Sequence, residues 1–106
     1  MSQIPVSSAC VEFRETLARH IKDLTRADPE RHGTAWYFLR YLKRVAVRAE
    51  ASAKASDASG AMRGLTRFYV DSAAADADLS ARFDEVLAAH RHALRVEHST
   101  PADSRL

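Results

Sequence analysis

A chain of 106 residues with 46% hydrophobic and 28% charged residues has the size and composition of one globular domain, which excludes a largely disordered chain and leaves no room for a second core. Its 20 alanines against 3 glycines and 3 prolines favour helices over the strands and turns of a β-protein. The net charge is only +2, and 13 of the 16 cations are arginine, as in a GC-rich bacterial genome, so arginine abundance by itself argues for no nucleic-acid partner.

The first helix is expected over residues 8–27. Ser7 or Ser8 can accept the free amides of its first turn, Glu12 and Glu15 sit near its positive end, and Cys10, Phe13, Leu17, Ile21 and Leu24 recur at helical spacing as one apolar stripe. Asp28-Pro29 ends it, with a short turn through Glu30 and Arg31. His32-Gly33 then breaks the chain, and Thr34 is the expected cap of the next helix.

The second helix is expected over 34–55, with Ala35, Phe38, Leu39, Leu42, Val45, Ala46, Ala49 and Ala53 on its apolar side. Ser56-Asp57-Ala58-Ser59-Gly60 reads as a turn, because Ser and Asp bond their own backbone and Gly supplies the left-handed conformation. A single long helix from 35 to 71 is the open alternative. A third helix over 61–72 turns Met62, Leu65, Phe68 and Tyr69 inward and leaves Val70 off the stripe. Gly64 within it costs about 1 kcal/mol relative to Ala and marks either a close helix crossing or a weak helix. Asp71-Ser72 or Asp76 opens a fourth helix over 76–98, which carries Leu79, Phe83, Val86, Leu87, His90, Ala93 and Leu94 on one face and stops before Pro101.

Four amphipathic segments on short links predict an all-α antiparallel bundle of about four helices, forming a single domain over 1–106 with frayed ends near 1–6 and 99–106. Its expected core is Phe13, Leu17, Ile21, Leu24, Phe38, Leu42, Val45, Leu65, Phe68, Phe83, Val86 and Leu94. Cys10, the one cysteine, is expected as a small buried hydrophobe, and one thiol permits no internal disulfide. The N-terminus lacks the pattern of a secretory leader, and no apolar run approaches the roughly 18 residues of a membrane span. A soluble, cytoplasmic protein is expected.

Charge is unevenly distributed. Residues 1–33 are balanced, residues 34–70 carry a net +5, and residues 71–106 carry −3. The basic block centres on the second helix, whose face opposite the apolar stripe collects Trp36, Tyr37, Arg40, Tyr41, Lys43, Arg44, Val47 and Arg48. Three large aromatics on a face otherwise left to solvent suggest a surface that something covers, since Trp, Tyr and Arg carry binding energy once desolvated. The bland alternative packs the aromatics under the loop between the first two helices and leaves the cations as a solvated face. Arg40, Lys43, Arg44 and Arg48 also have the spacing for phosphate contacts, with the aromatics stacking on bases.

His90 falls near the centre of the fourth helix's apolar stripe, and His20 at the edge of the first. A core histidine whose ring reaches a carbonyl is one reading, and it predicts that His90→Leu is tolerated or stabilising. A ligand pair, His90 with His20, is the other, though two histidines fall short of the four ligands of a structural zinc. There is no P-loop and no defensible pairing of nucleophile and base, so nothing points to catalysis, and no cofactor is expected. The resulting expectation is a small adaptor or regulatory subunit that binds another protein, or a second copy of itself, through the second helix. Nucleic-acid binding by the same face comes second, and a small-molecule, haem or metal site at His90 third.

Overall fold

Ser7 opens the first helix as the residue types demand: its side-chain oxygen accepts the amide of Cys10 at 3.1 Å, satisfying one of the donors left free in the first turn. The computed structural model describes residues 6–99, which form helices α1 (Ser8–Ala27), α2 (Thr34–Glu50), α3 (Ser59–Phe68) and α4 (Ala77–Ser99). No strand occurs among the described residues. The fold is the expected all-α bundle.

Asp28 adopts the left-handed conformation (φ 52°) that ends α1, and its amide returns to the carbonyl of Thr25. A second left-handed residue, His32 (φ 66°), completes the short reversal into α2. Gly33, not Thr34, is the N-cap of α2, and no side chain bonds there; Thr34 is already helical. Asp76 opens α4, its carboxylate accepting the amide of Leu79 at 3.0 Å.

The link between α2 and α3 departs from expectation. α2 ends at Glu50, five residues early, and Ser56–Gly60 is no turn: Ala55–Ala58 form a 3-10 turn that runs directly into α3 at Ser59. Gly60 does not use the left-handed region, and the single long helix does not form either. The physical reason lies outside the segment. Arg14 of α1 donates to the carbonyls of Ala49 (2.9 Å) and Ser52 (2.5 Å), supplying the donors that the last turn of a helix lacks. The Ser52 hydroxyl donates to Asp57 and accepts the amide of Lys54.

The end of α3 also differs. Residues Tyr69–Ala73 form a π-helical turn instead of continuing the helix to Ser72. Consecutive helical positions point about 100° apart, so the two aromatics at this junction face different neighbours. Phe68 stacks on Tyr41 of α2 (centroids 5.0 Å apart), while Tyr69 stacks on Phe83 of α4 (4.1 Å, 8° between planes) and its hydroxyl meets that of Ser80 at 2.9 Å.

Packing order follows from these contacts. α1 runs antiparallel to both α2 and α4: Arg14 meets the end of α2, while Arg19 and His20 meet Glu85 and Asp23 meets Arg82. α3 folds back on α2, where Tyr41 and Tyr37 approach Phe68. Phe13, Leu17, Phe38, Leu42, Val45, Leu65, Leu79 and Val86 are fully buried in one continuous core, with Cys10 and small Ala49, Ala55, Ala58 and Ala93 filling the gaps between helices. Ile21, Phe68 and Leu94, expected inside, are only partly buried against it. Of the ends expected to fray, Val6 packs on the core and Ser99 closes α4, while 1–5 and 100–106 lie outside the described residues.

Candidate functional site

The face of α2 away from the core divides into an aromatic half and a basic half. Trp36, one turn into the helix, is half-buried: His32 lies against its ring at 4.7 Å, Tyr37 meets it edge-on at 4.9 Å, and Arg40 holds its guanidinium 5.0 Å from the ring centroid. The indole also borders the depression formed by Pro29, Glu30 and Leu39, so it tucks against the α1–α2 loop. Tyr41 has Phe68 stacked on its ring and the Arg44 guanidinium 5.0 Å from its centroid. Tyr37, 38% exposed, bonds His32 Nδ1 through its hydroxyl at 3.1 Å. The aromatics are thus partners of one another, of α3 and of the two arginines. Phe68 went unrecognised as the residue that covers Tyr41, because its helical spacing assigned it to the core.

The basic half is open. Arg40, Lys43, Arg44 and Arg48 are exposed, and Val47 in their midst is 65% exposed. None of the four cations has a carboxylate within ion-pair distance among the described residues; the ion pairs that are present belong to Arg19, His20 and Arg82 at the α1–α4 seam. Stacking on Trp36 and Tyr41 holds Arg40 and Arg44 in place without neutralising them, since a ring face attracts a cation but removes no charge.

His20 and His90 do not come together. His20 is buried between α1 and α4, where its Nε2 donates to Glu85 (2.5 Å) and its Nδ1 accepts from Arg82 (3.0 Å). Arg19 adds a second bond to Glu85 at 2.8 Å, and together His20 and Arg19 hold the Glu85 carboxyl below its ordinary range. Arg82 also bridges Asp78 and Asp23, which raise its pKa further although burial opposes them. Both ring nitrogens of His20 are therefore occupied by protein, and no group of three or more metal-ligating side chains occurs among the described residues.

His90 is 4% exposed and stands against Phe13, ring centroids 5.0 Å apart. Its Nε2 lies 3.1 Å from the carbonyl of Ala55, and a carbonyl only accepts, so the hydrogen sits on Nε2. Burial pushes its pKa below 6.5, partly opposed by that bond and by Glu97. Sequence reasoning missed Glu97 itself, whose carboxylate accepts the amides of Ala55 and of Ser56 (3.3 Å) and so caps the 3-10 turn. A signal was present: Arg14 falls at core spacing between Cys10 and Leu17, and Glu97 continues the series Val86, His90, Ala93. Charges at such positions reach backbone groups when they are buried. Burial, modified by these same two charges, raises the thiol pKa of Cys10 between them.

No helix of the described residues is long and apolar enough to cross a membrane. Comparison with protein-family models, with curated proteins and with solved structures finds no match. What the fold and the surface define is a class: a small four-helix bundle with a segregated basic face.

Proposed function

We propose that this is a small non-catalytic binding protein, an adaptor or regulatory subunit of the cytoplasm, whose α2 face engages an acidic protein surface. The observation that carries the reading is the set of unpaired cations Arg40, Lys43, Arg44 and Arg48 around exposed Val47. An apolar centre with a cationic rim is suited to a partner with an apolar knob among carboxylates, and arginines already held by aromatic stacking lose little freedom on binding. A second copy is one such partner, since Asp71, Asp76, Asp78 and Asp84 are exposed on the same chain.

Nucleic-acid binding through the same cations is the second reading. It is disfavoured by the aromatics: Arg44 and Phe68 lie against the Tyr41 ring, and Arg40 against the Trp36 ring, so stacking on a base would require their displacement. The deciding experiment combines light scattering with capture of partners from the host extract, using the wild type and an Arg44→Glu/Val47→Asp variant. Self-association or a captured partner that the variant loses, with its helix content unchanged, supports the reading. A monomer that captures nothing overturns it, and retardation of DNA or RNA that vanishes steeply with salt establishes the second reading instead.

A further inference from the structure

α3 leans on α2 and makes little contact with α4, so the seam between α3 and α4 is open. It forms a groove of about 570 Å³. Its floor is apolar, made by Met62, Leu87 and Leu94. Its rim carries Arg63, Arg67 and Arg91, all exposed and none with a carboxylate partner among the described residues. His90 borders the same space. With Nε2 committed to Ala55, its Nδ1 carries a lone pair and has no hydrogen-bond partner among the described residues. Among the described residues no fully buried side-chain nitrogen or oxygen lacks a partner, so Nδ1 is not sealed within the core, and His90 lines the groove.

We propose that the α3–α4 groove binds a small amphiphilic organic anion, with its charged end among Arg63, Arg67 and Arg91, its apolar body over Met62, Leu87 and Leu94, and a hydroxyl or N–H donating to His90 Nδ1. The volume lies within the roughly 300–1,000 Å³ of small-molecule sites and is short for a partner helix. An inorganic anion would leave the apolar floor uncovered, and a metal cation would face three arginines. This site lies apart from the outward strip of α2, so either assignment stands or falls without the other.

The probe is anilinonaphthalene sulfonate, which has a sulfonate, a bicyclic apolar body and an anilino N–H; its neutral counterpart N-phenylnaphthylamine lacks the sulfonate and with it the charge. Titration by calorimetry and by amide NMR should give saturable binding of one equivalent, with shifts confined to α3, α4 and the His90 ring. Arg67→Gln/Arg91→Gln, at exposed positions, should weaken it about tenfold or more, as loss of charge-assisted contacts requires, and the neutral counterpart should bind comparably worse. Arg44→Gln/Arg48→Gln on α2 should leave it unchanged. Absent or non-saturable binding overturns the proposal. So does equal affinity for the neutral counterpart, indifference to the groove variant, or a loss produced by the α2 variant.

Discussion

Arg14 and Glu97 stand on different helices and hold one connection by opposite backbone charges: the guanidinium takes carbonyls of Ala49 and Ser52, and the carboxylate takes amides of Ala55 and Ser56. Neither residue pairs with the other, and each supplies what a helix end lacks. Replacing Arg14 by Met keeps the apolar stem and removes both donors. The expected loss is about 1.5–3 kcal/mol in urea unfolding, because two part-buried carbonyls lose a charged partner. A loss below about 0.5 kcal/mol, the level of an ordinary surface substitution, would show the clamp to be ornamental.

His90→Leu is not the neutral exchange that its place on an apolar stripe suggests. The substitution removes the Nε2–H donor of a buried bond and leaves the Ala55 carbonyl with only its place in the 3-10 turn. The expected cost is about 0.5–1.5 kcal/mol, the net worth of one hydrogen bond, whereas His90→Asn or Gln, which can still donate, should recover part of it. Chemical unfolding of the three variants distinguishes these outcomes.

The same histidine makes stability depend on pH. Its folded pKa is depressed, so the unfolded chain takes up this proton more readily and protonation favours unfolding. The contribution is fully present above the ordinary value of 6.5 and is lost as pH falls from there toward the lowered folded value. The slope is at most about 1.4 kcal/mol per pH unit. Unfolding free energies measured from pH 7.5 down to about pH 5 should fall in the wild type and fall less in His90→Asn. Parallel curves would assign the slope to another group.

Gly64 is not kept for a tight crossing. A Cβ there would meet the Tyr41 ring at 3.7 Å, an ordinary contact, in the interior of α3. Gly64→Ala should therefore stabilise by up to about 1 kcal/mol, through helix propensity and a less flexible unfolded chain. A lowered melting temperature would refute this.

Leu42 is fully buried at the middle of α2, and Leu42→Ala should cost about 2–5 kcal/mol by leaving a cavity that close packing cannot fill. Calorimetric melting reads the loss directly. Val47→Ala, on the exposed side of the same helix, should change stability by under about 0.5 kcal/mol.

Helical periodicity made most of the fold legible, because Phe13, Leu17, Phe38, Leu42 and Val86 repeat at the spacing that burial requires. The α2–α3 link was not legible, since its conformation is set by Arg14 and Glu97, some 35 to 42 residues distant along the chain. Local propensity at Ser56–Gly60 has no means of registering those partners. The basic composition of α2 could be read directly, but the fate of Trp36 and Tyr41 could not. Whether an aromatic on the second face of a helix meets solvent or Phe68 depends on which helix folds back on it.

The clamped connection also ties the order of assembly to the two ends of the chain. Its backbone groups find their partners only after α1 and α4 have docked, so the segment gains little from forming early and much from forming last. An isolated α2–α3 hairpin has no donor for Ser52 and no acceptor for Ala55. The amide of Ala55 accordingly reports on the contact between this link and α4: its exchange with solvent water should track the release of Glu97.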